Sequence, residues 1–263
     1  EIQNCFLRLS PLPTGEGQGG GANMKGFVMF AWLKRLFGDK PQLSAEQQRH
    51  LDVWRSLPAP KLDKPLTGMR CVVVDVETTG LNLMRDRLIS IGAVAVVGGK
   101  IALGDSFYAV LQQQAASDKG NILIHGIGGA EQLEGDPPVE VLLSFLEYLG
   151  KDSLVAFHVA FDETMIKRAL REYLGFNFKH PWLDLAYVMP GLNPALAKKY
   201  RALDHWIGHS NIRIDARHNA LADALATAQL LQVAYAEAKQ KDITSMSELR
   251  DLEKNQRWVN SVS

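Results

Sequence analysis

Three short segments carry side chains able to do chemistry. Asp75-Val76-Glu77-Thr78-Thr79-Gly80 closes a run of valines. Asp75 and Glu77 are two residues apart, so on a strand both carboxylates project from one side. Two such groups leaving a buried strand repel each other and lose solvation, and one keeps its proton unless something compensates. A divalent cation compensates, and oxygen-only ligands favour Mg²⁺ or Mn²⁺ over Zn²⁺. A plain strand-end turn uses the same residue types, so this segment alone leaves both readings open. His158-Val159-Ala160-Phe161-Asp162 is the second segment. It puts Asp162 in the first turn of a helix, where a carboxylate can also simply complement the helix dipole. The third is His218-Asn219-Ala220-Leu221-Ala222-Asp223. On one helix His218 and Asp223 would sit about 140° apart. They converge if His218 lies in the loop ahead of the helix and Asp223 one turn inside it. Ala222, Ala224, Ala226 and Ala228 let that helix approach a sheet closely and carry Asp223 toward the strand carboxylates.

The elements that must position these groups follow from pattern. Residues 71–76 form a continuous β-branched run, typical of a strand covered on both faces. Residues 88–97 and 101–110 read as two strands joined at Gly98-Gly99 in a hairpin. A helix is expected over 137–149, a short strand over 154–157, a helix over 160–174 and a fifth strand over 181–185. Helices are expected over 195–208, over 220–239 and from Ser245 onward. The order is that of an α/β domain with a mixed five-stranded sheet flanked by helices. Ahead of it, residues 1–23 are rich in Gly and Pro and read as a disordered tail. Residues 24–68 read as a helical N-terminal extension and linker. Within it, 27–37 is a short amphipathic stretch fit to pack on the main domain or an oligomer partner, or else to anchor at a membrane surface or on a partner. Met24 or Met29 reads as a natural start. Ser44 and Gln47 form a capping-box pattern opening a helix that Pro58 and Pro60 stop. The main domain is placed at 69–240 and a helical tail at 241–263.

Composition narrows the classes. The 263 residues carry 29 Lys plus Arg and 29 Asp plus Glu, for a formal net charge of +0. That excludes a generally basic chain coating nucleic acid by counterion release, and an acidic disordered chain. Only Cys5 and Cys71 are present, which excludes a disulfide framework and favours a reducing, cytoplasmic setting. No apolar run reaches the ~18 residues of a membrane span.

Taken together and in this order, the three segments resemble the motifs of the DnaQ-like, or DEDDh, 3′–5′ exonucleases, which have an RNase H-like fold. The exonuclease domains of DNA polymerase III epsilon subunits belong to that group. Asp75 and Glu77 match the family's Asp-x-Glu, Asp162 its second-motif Asp, and His218 and Asp223 its His followed by Asp. Ile124-His125-Gly126-Ile127 resembles a further family segment. The resemblance covers about residues 69 to 238 and departs at one place: His158 stands where the family usually has Asn.

The resemblance implies hydrolysis of terminal phosphodiesters at DNA 3′ ends with two Mg²⁺ or Mn²⁺ ions. Asp75, Glu77 and Asp223 would hold the first ion, with Asp75 and Asp162 serving the second. His218 would be the general base, a role that the ordinary imidazole pKa of ~6.5 suits. Thr78, Thr79, Leu81, His125, His158, Phe161 and Arg217 are the expected substrate contacts. Lys167-Arg168 with Arg171, and Lys198-Lys199 with Arg201, are basic clusters that can track phosphates or simply face solvent. RNA as substrate, and a catalytically silent nucleic-acid-binding scaffold, are the alternatives.

Overall fold

The structure, a computed structural model, describes residues 41–214 and 218–262. The tail and the amphipathic 27–37 stretch lie outside the described residues.

Helix α1 (Ala45–Ser56) opens on the expected capping box: Ser44 Oγ accepts the Gln47 N–H at 3.1 Å, and Gln47 Oε1 accepts the Ser44 N–H at 2.8 Å. It buries Leu51 and Trp54. The Trp54 indole N–H donates to the Gly150 carbonyl at 2.6 Å, and its ring stacks on Phe178 at 5.8 Å.

The valine run forms the central strand β1 (Arg70–Thr78). It pairs antiparallel with β2 (Leu88–Val97), which turns through Gly98 and Gly99 into β3 (Lys100–Val110). Both glycines have positive φ, 57° and 79°, as this hairpin turn requires. Then come α2 (Lys119–His125), α3 (Gly129–Leu133), α4 (Pro138–Leu149), β4 (Ser153–Ala156) and α5 (Val159–Leu174). β5 (Trp182–Asp184) runs into α6 (Leu185–Leu192), followed by α7 (Leu203–His209), α8 (Ala220–Lys239) and α9 (Met246–Val262). The sheet order is β3-β2-β1-β4-β5, with β4 and β5 parallel to β1. The expected mixed five-stranded sheet flanked by helices is therefore present.

Strand parity divides the core. Val72, Val74 and Val76 pack with α1, α4 and α5 on one face. Cys71 and Val73 pack with α6, α8 and α9 on the other. Asp75 and Glu77 continue the odd series, so they point toward the face that α8 covers.

One expected helix is cut back. In place of a helix over 195–208, the chain makes a 3₁₀ turn at Pro194–Leu196, and α7 starts only at Leu203. Ala202 is extended, and His205 Nδ1 accepts its N–H at 3.3 Å, which fixes the later start. Short helices α2, α3 and α6 carry too few turns to show a period and were not expected. Among the described residues, no helix is long and apolar enough to cross a membrane.

Candidate active site

Asp75 on β1 is paired with Gly92 on β2. A Cβ at Gly92 would lie 2.2 Å from the Ala220 carbonyl carbon and the Leu221 nitrogen. The first turn of α8 thus rests directly on bare strand backbone, and the buried Ala220, Ala224, Ala226 and Ala228 continue the close approach. Asn219 caps that helix, its side-chain oxygen accepting the Ala222 N–H at 3.1 Å. His218 precedes the cap in a left-handed conformation (φ 59°), and its N–H donates to Asp223 Oδ2 at 3.0 Å. The loop-then-helix arrangement expected for His218 and Asp223 is what the backbone adopts, and the His218 side chain is exposed. Oxygens of Asp75, Glu77 and Asp223 all lie within 4.8 Å of one another. Three carboxylates this close, with no nitrogen or sulfur donor in the group, fit a hard divalent cation.

Asp162 stands outside that trio, in the first turn of α5, and is 5% exposed. Burial pushes its pKa up to about 8; the negative charges of Asp184 and Glu77 add to this, and backbone N–H groups of Asp162 and Val76 oppose it. The Val76 N–H thus faces the Asp162 carboxyl from β1. A buried carboxyl held this way is a group a nearby cation would ionise.

The expected substrate contacts divide. Leu81 is 85% exposed in the loop after β1, as is its neighbour Met84 at 83%. Thr78 and Thr79 face inward: the Thr78 hydroxyl donates to Gly80 O at 2.7 Å, and the Thr79 hydroxyl donates to Asp86 Oδ1 at 3.2 Å and accepts the Arg87 N–H at 2.9 Å. They shape the loop that presents Leu81. His125 is 4% exposed, with Nδ1 accepting the Ile127 N–H at 3.0 Å and Nε2 3.5 Å from Ser117 Oγ. The structure does not bring its ring to the surface; it braces the turn after α2. Phe161 is half-buried and packs on the α4–α5 core. His158 is exposed and left-handed (φ 68°), with Nε2 3.2 Å from Arg201 O. Arg217 lies outside the described residues. In the first basic cluster, Lys167 pairs with Glu163 at 2.6 Å. Arg168 Nη1 donates to the Leu83 carbonyl and, at 2.9 Å, to Asp86 O.

Three contributors carry no motif. Gly92 is one, Arg168 as a clasp on the Leu81 loop is another, and Asp184 is the third. Only Asp184 left a sequence signal: an acidic residue near the end of the strand expected over 181–185.

The sheet order is that of an RNase H-like architecture, with the carboxylate trio between β1 and α8. The exonuclease family model RNase_T matches residues 72–231, and the chain belongs to that family. A DNA polymerase III PolC-type protein of Clostridium perfringens is 32% identical over 182 residues, covering 68% of this chain and 12% of the relative. A DNA polymerase III subunit epsilon-like protein of Rhodobacter capsulatus is 33% identical over 172 residues, covering 64% of this chain and 24% of the relative. The chain thus spans between about an eighth and a quarter of the length of these relatives. Among solved structures, E. coli exonuclease I in complex with a dT13 oligonucleotide has a TM-score of 0.56 at 18% identity, covering 65% of this chain and 42% of that one. Exonuclease X in complex with 5′ overhanging duplex DNA has a TM-score of 0.55 at 18% identity, covering 70% of this chain and 99% of that one. At these identities the likeness is one of fold.

Proposed function

We propose that the protein is a divalent-metal-dependent 3′–5′ exonuclease acting on single-stranded or frayed DNA 3′ ends. The observation that carries this reading is the convergence of Asp75, Glu77 and Asp223 oxygens within 4.8 Å. These residues would hold Mg²⁺ or Mn²⁺, with Asp75 and Asp162 serving a second ion. When bound, the ions supply charge to neutralise the phosphate oxygens and lower the cost of forming the nucleophile. His218 takes the proton of the attacking water as general base. Water adds to the terminal phosphorus, the bond to the 3′ oxygen breaks, and that oxygen leaves with a proton. The products are a nucleoside 5′-monophosphate and a new 3′-hydroxyl end. Leu81 packs against the terminal nucleotide from the loop that Thr79 and Arg168 hold. The polymerase III relatives and the DNA-bound structural neighbours support DNA as the substrate. With Cys71 buried and free, the cytoplasm is the compartment this reading assigns.

The test uses matched DNA and RNA oligomers labelled at the 5′ end, with Mg²⁺ or Mn²⁺. Stepwise shortening of the DNA is expected, with release of 5′-monophosphates, and Asp75→Ala is expected to abolish it. Preferential shortening of RNA would move the substrate to the 2′-hydroxyl-bearing chain. Wild-type rates in Asp75→Ala would overturn the assignment.

A further inference from the structure

We infer that Arg257, on the C-terminal helix α9, is a positioning residue for Asp162; the inference rests on the nuclease reading above. Asp184 ends β5 opposite Ala156 of β4, and it is 1% exposed. Its Oδ1 accepts the N–H of His158 at 2.9 Å and of Ala186 at 3.0 Å. Its Oδ2 accepts Arg257 Nη2 at 2.8 Å. The same guanidinium donates through Nε to Glu253 Oε1 at 2.8 Å and lies 4.0 Å over the Tyr187 ring. Glu253 Oε2 in turn accepts the Asp184 backbone N–H at 3.1 Å. Strand end and helix α9 therefore close into a hydrogen-bonded ring, and Asp184 Oδ1 ties the turn at His158 to it.

The turn at His158 needs such a tie. The left-handed region is strained for any residue other than glycine, and His158 adopts φ 68°, ψ 53°. That residue sets the direction in which α5 leaves the sheet, and Asp162 lies one turn along it. Asp184 fixes the turn through the His158 N–H, and Arg257 fixes Asp184. A buried carboxylate stripped of its guanidinium either takes up a proton or drags in water, and the hydrogen bond to the turn weakens in both cases. A lysine places one point charge where Arg257 spans two carboxylates and stacks on a ring, so it replaces only part of the brace. Helix α9 lies wholly beyond the family-matched residues 72–231. The brace therefore reaches the site from outside the family-matched residues.

The test is direct Mn²⁺ binding to the full chain, read by calorimetry or by the free-Mn²⁺ paramagnetic resonance signal, beside kcat and KM on DNA. Wild type, Arg257→Gln, Arg257→Lys, Glu253→Gln and Asp75→Ala are compared. Removing a residue that orients a ligand costs about 10–100-fold in metal affinity. Arg257→Gln is expected to weaken Mn²⁺ binding by about 10-fold and to lower kcat with KM for DNA held, while Arg257→Lys recovers part of both. If Arg257→Gln fails to fold, Arg257→Lys and Glu253→Gln carry the test with smaller shifts of the same sign. A lowered melting temperature with an unchanged Mn²⁺ isotherm makes the brace merely structural and overturns the inference alone. A wild type that binds no Mn²⁺ overturns the nuclease reading, and this inference with it.

Discussion

At the scale of single residues, the two helices that deliver the α-helical carboxylates are entered in the same way. His158 and His218 both adopt left-handed φ, at 68° and 59°. Each gives its N–H to a carboxylate, His158 to Asp184 and His218 to Asp223. This geometry allows the imidazole of His218 to be removed without disturbing the backbone that holds Asp223. Asn tolerates the left-handed region, so His218→Asn keeps the turn and its N–H. Loss of a general base costs about 10²–10⁴-fold. We expect kcat to fall in that range while Mn²⁺ affinity and melting temperature stay near wild type. A matching loss of Mn²⁺ binding would assign the imidazole to the metal instead. The trio's placement was legible because alternation along the valine run fixes the side on which Asp75 and Glu77 project. The inward turn of His125 was not. Its ring nitrogens are taken up by Ile127 N–H and Ser117 Oγ, contacts set by how the α2–α3 turn closes rather than by any local pattern.

At the scale of elements, what matters most is how closely α8 lies on the sheet. The bounds of β2 and α8 and the capping box of α1 could be read directly, since each is marked by strong period, caps or turn glycines. The α8 alanines announced a close approach, yet the partner of that approach, Gly92, sat unmarked inside an apolar strand. Sequence shows a small residue but not what stands opposite it. Gly92→Ala is the corresponding test. Its Cβ would meet Ala220 and Leu221 backbone at 2.2 Å, and backbone cannot rotate aside as a side chain can. Helix α8 must lift or slide. Overpacking of this kind costs about 1–3 kcal/mol, and here the displaced turn carries Asp223. We expect a lower melting temperature together with a loss of activity larger than the stability loss explains, measured below the melting transition. Full activity in a Gly92→Ala protein of reduced stability would mean that Asp223 reaches its partners without help from this contact.

At the scale of the whole molecule, pH and salt act through different charges. His180 donates to the Asp152 carbonyl and stacks on Phe178 at 5.1 Å, and burial pushes its pKa down to about 4, with Lys151 adding to the fall. The unfolded imidazole titrates near ~6.5. Between those values the unfolded chain binds the extra proton, so stability is full above pH 6.5 and is lost as pH falls toward 4. The imidazole's share is up to about 3 kcal/mol. The acidic site works in the opposite direction, because Asp162 holds its proton more tightly when folded. The difference between wild type and His180→Asn in denaturant titrations at pH 7 and pH 5 therefore isolates the imidazole. It should narrow at the lower pH, and a constant difference would remove His180 from the acid response.

Salt, by contrast, acts on the encounter with DNA. A chain of formal net charge +0 has no broad basic field to release counterions along a strand. Its basic residues are also partly spent internally, Lys167 on Glu163 and Arg168 on the Leu81 loop. On the proposed reading, affinity for a DNA end then comes from the cations that Asp75, Glu77, Asp162 and Asp223 would collect. Each neutralised phosphate of a single strand contributes a slope of about −0.7 in log K against log salt. A grip on the last few nucleotides predicts a slope no steeper than about −3. Binding of catalytically arrested His218→Asn to a labelled 3′ end, measured across monovalent salt with Mn²⁺ and then with chelator, reads both quantities. Affinity should collapse on chelation and decline only gently with salt. A steep slope that survives chelation would show DNA held by a basic surface, with the carboxylates contributing nothing to the encounter.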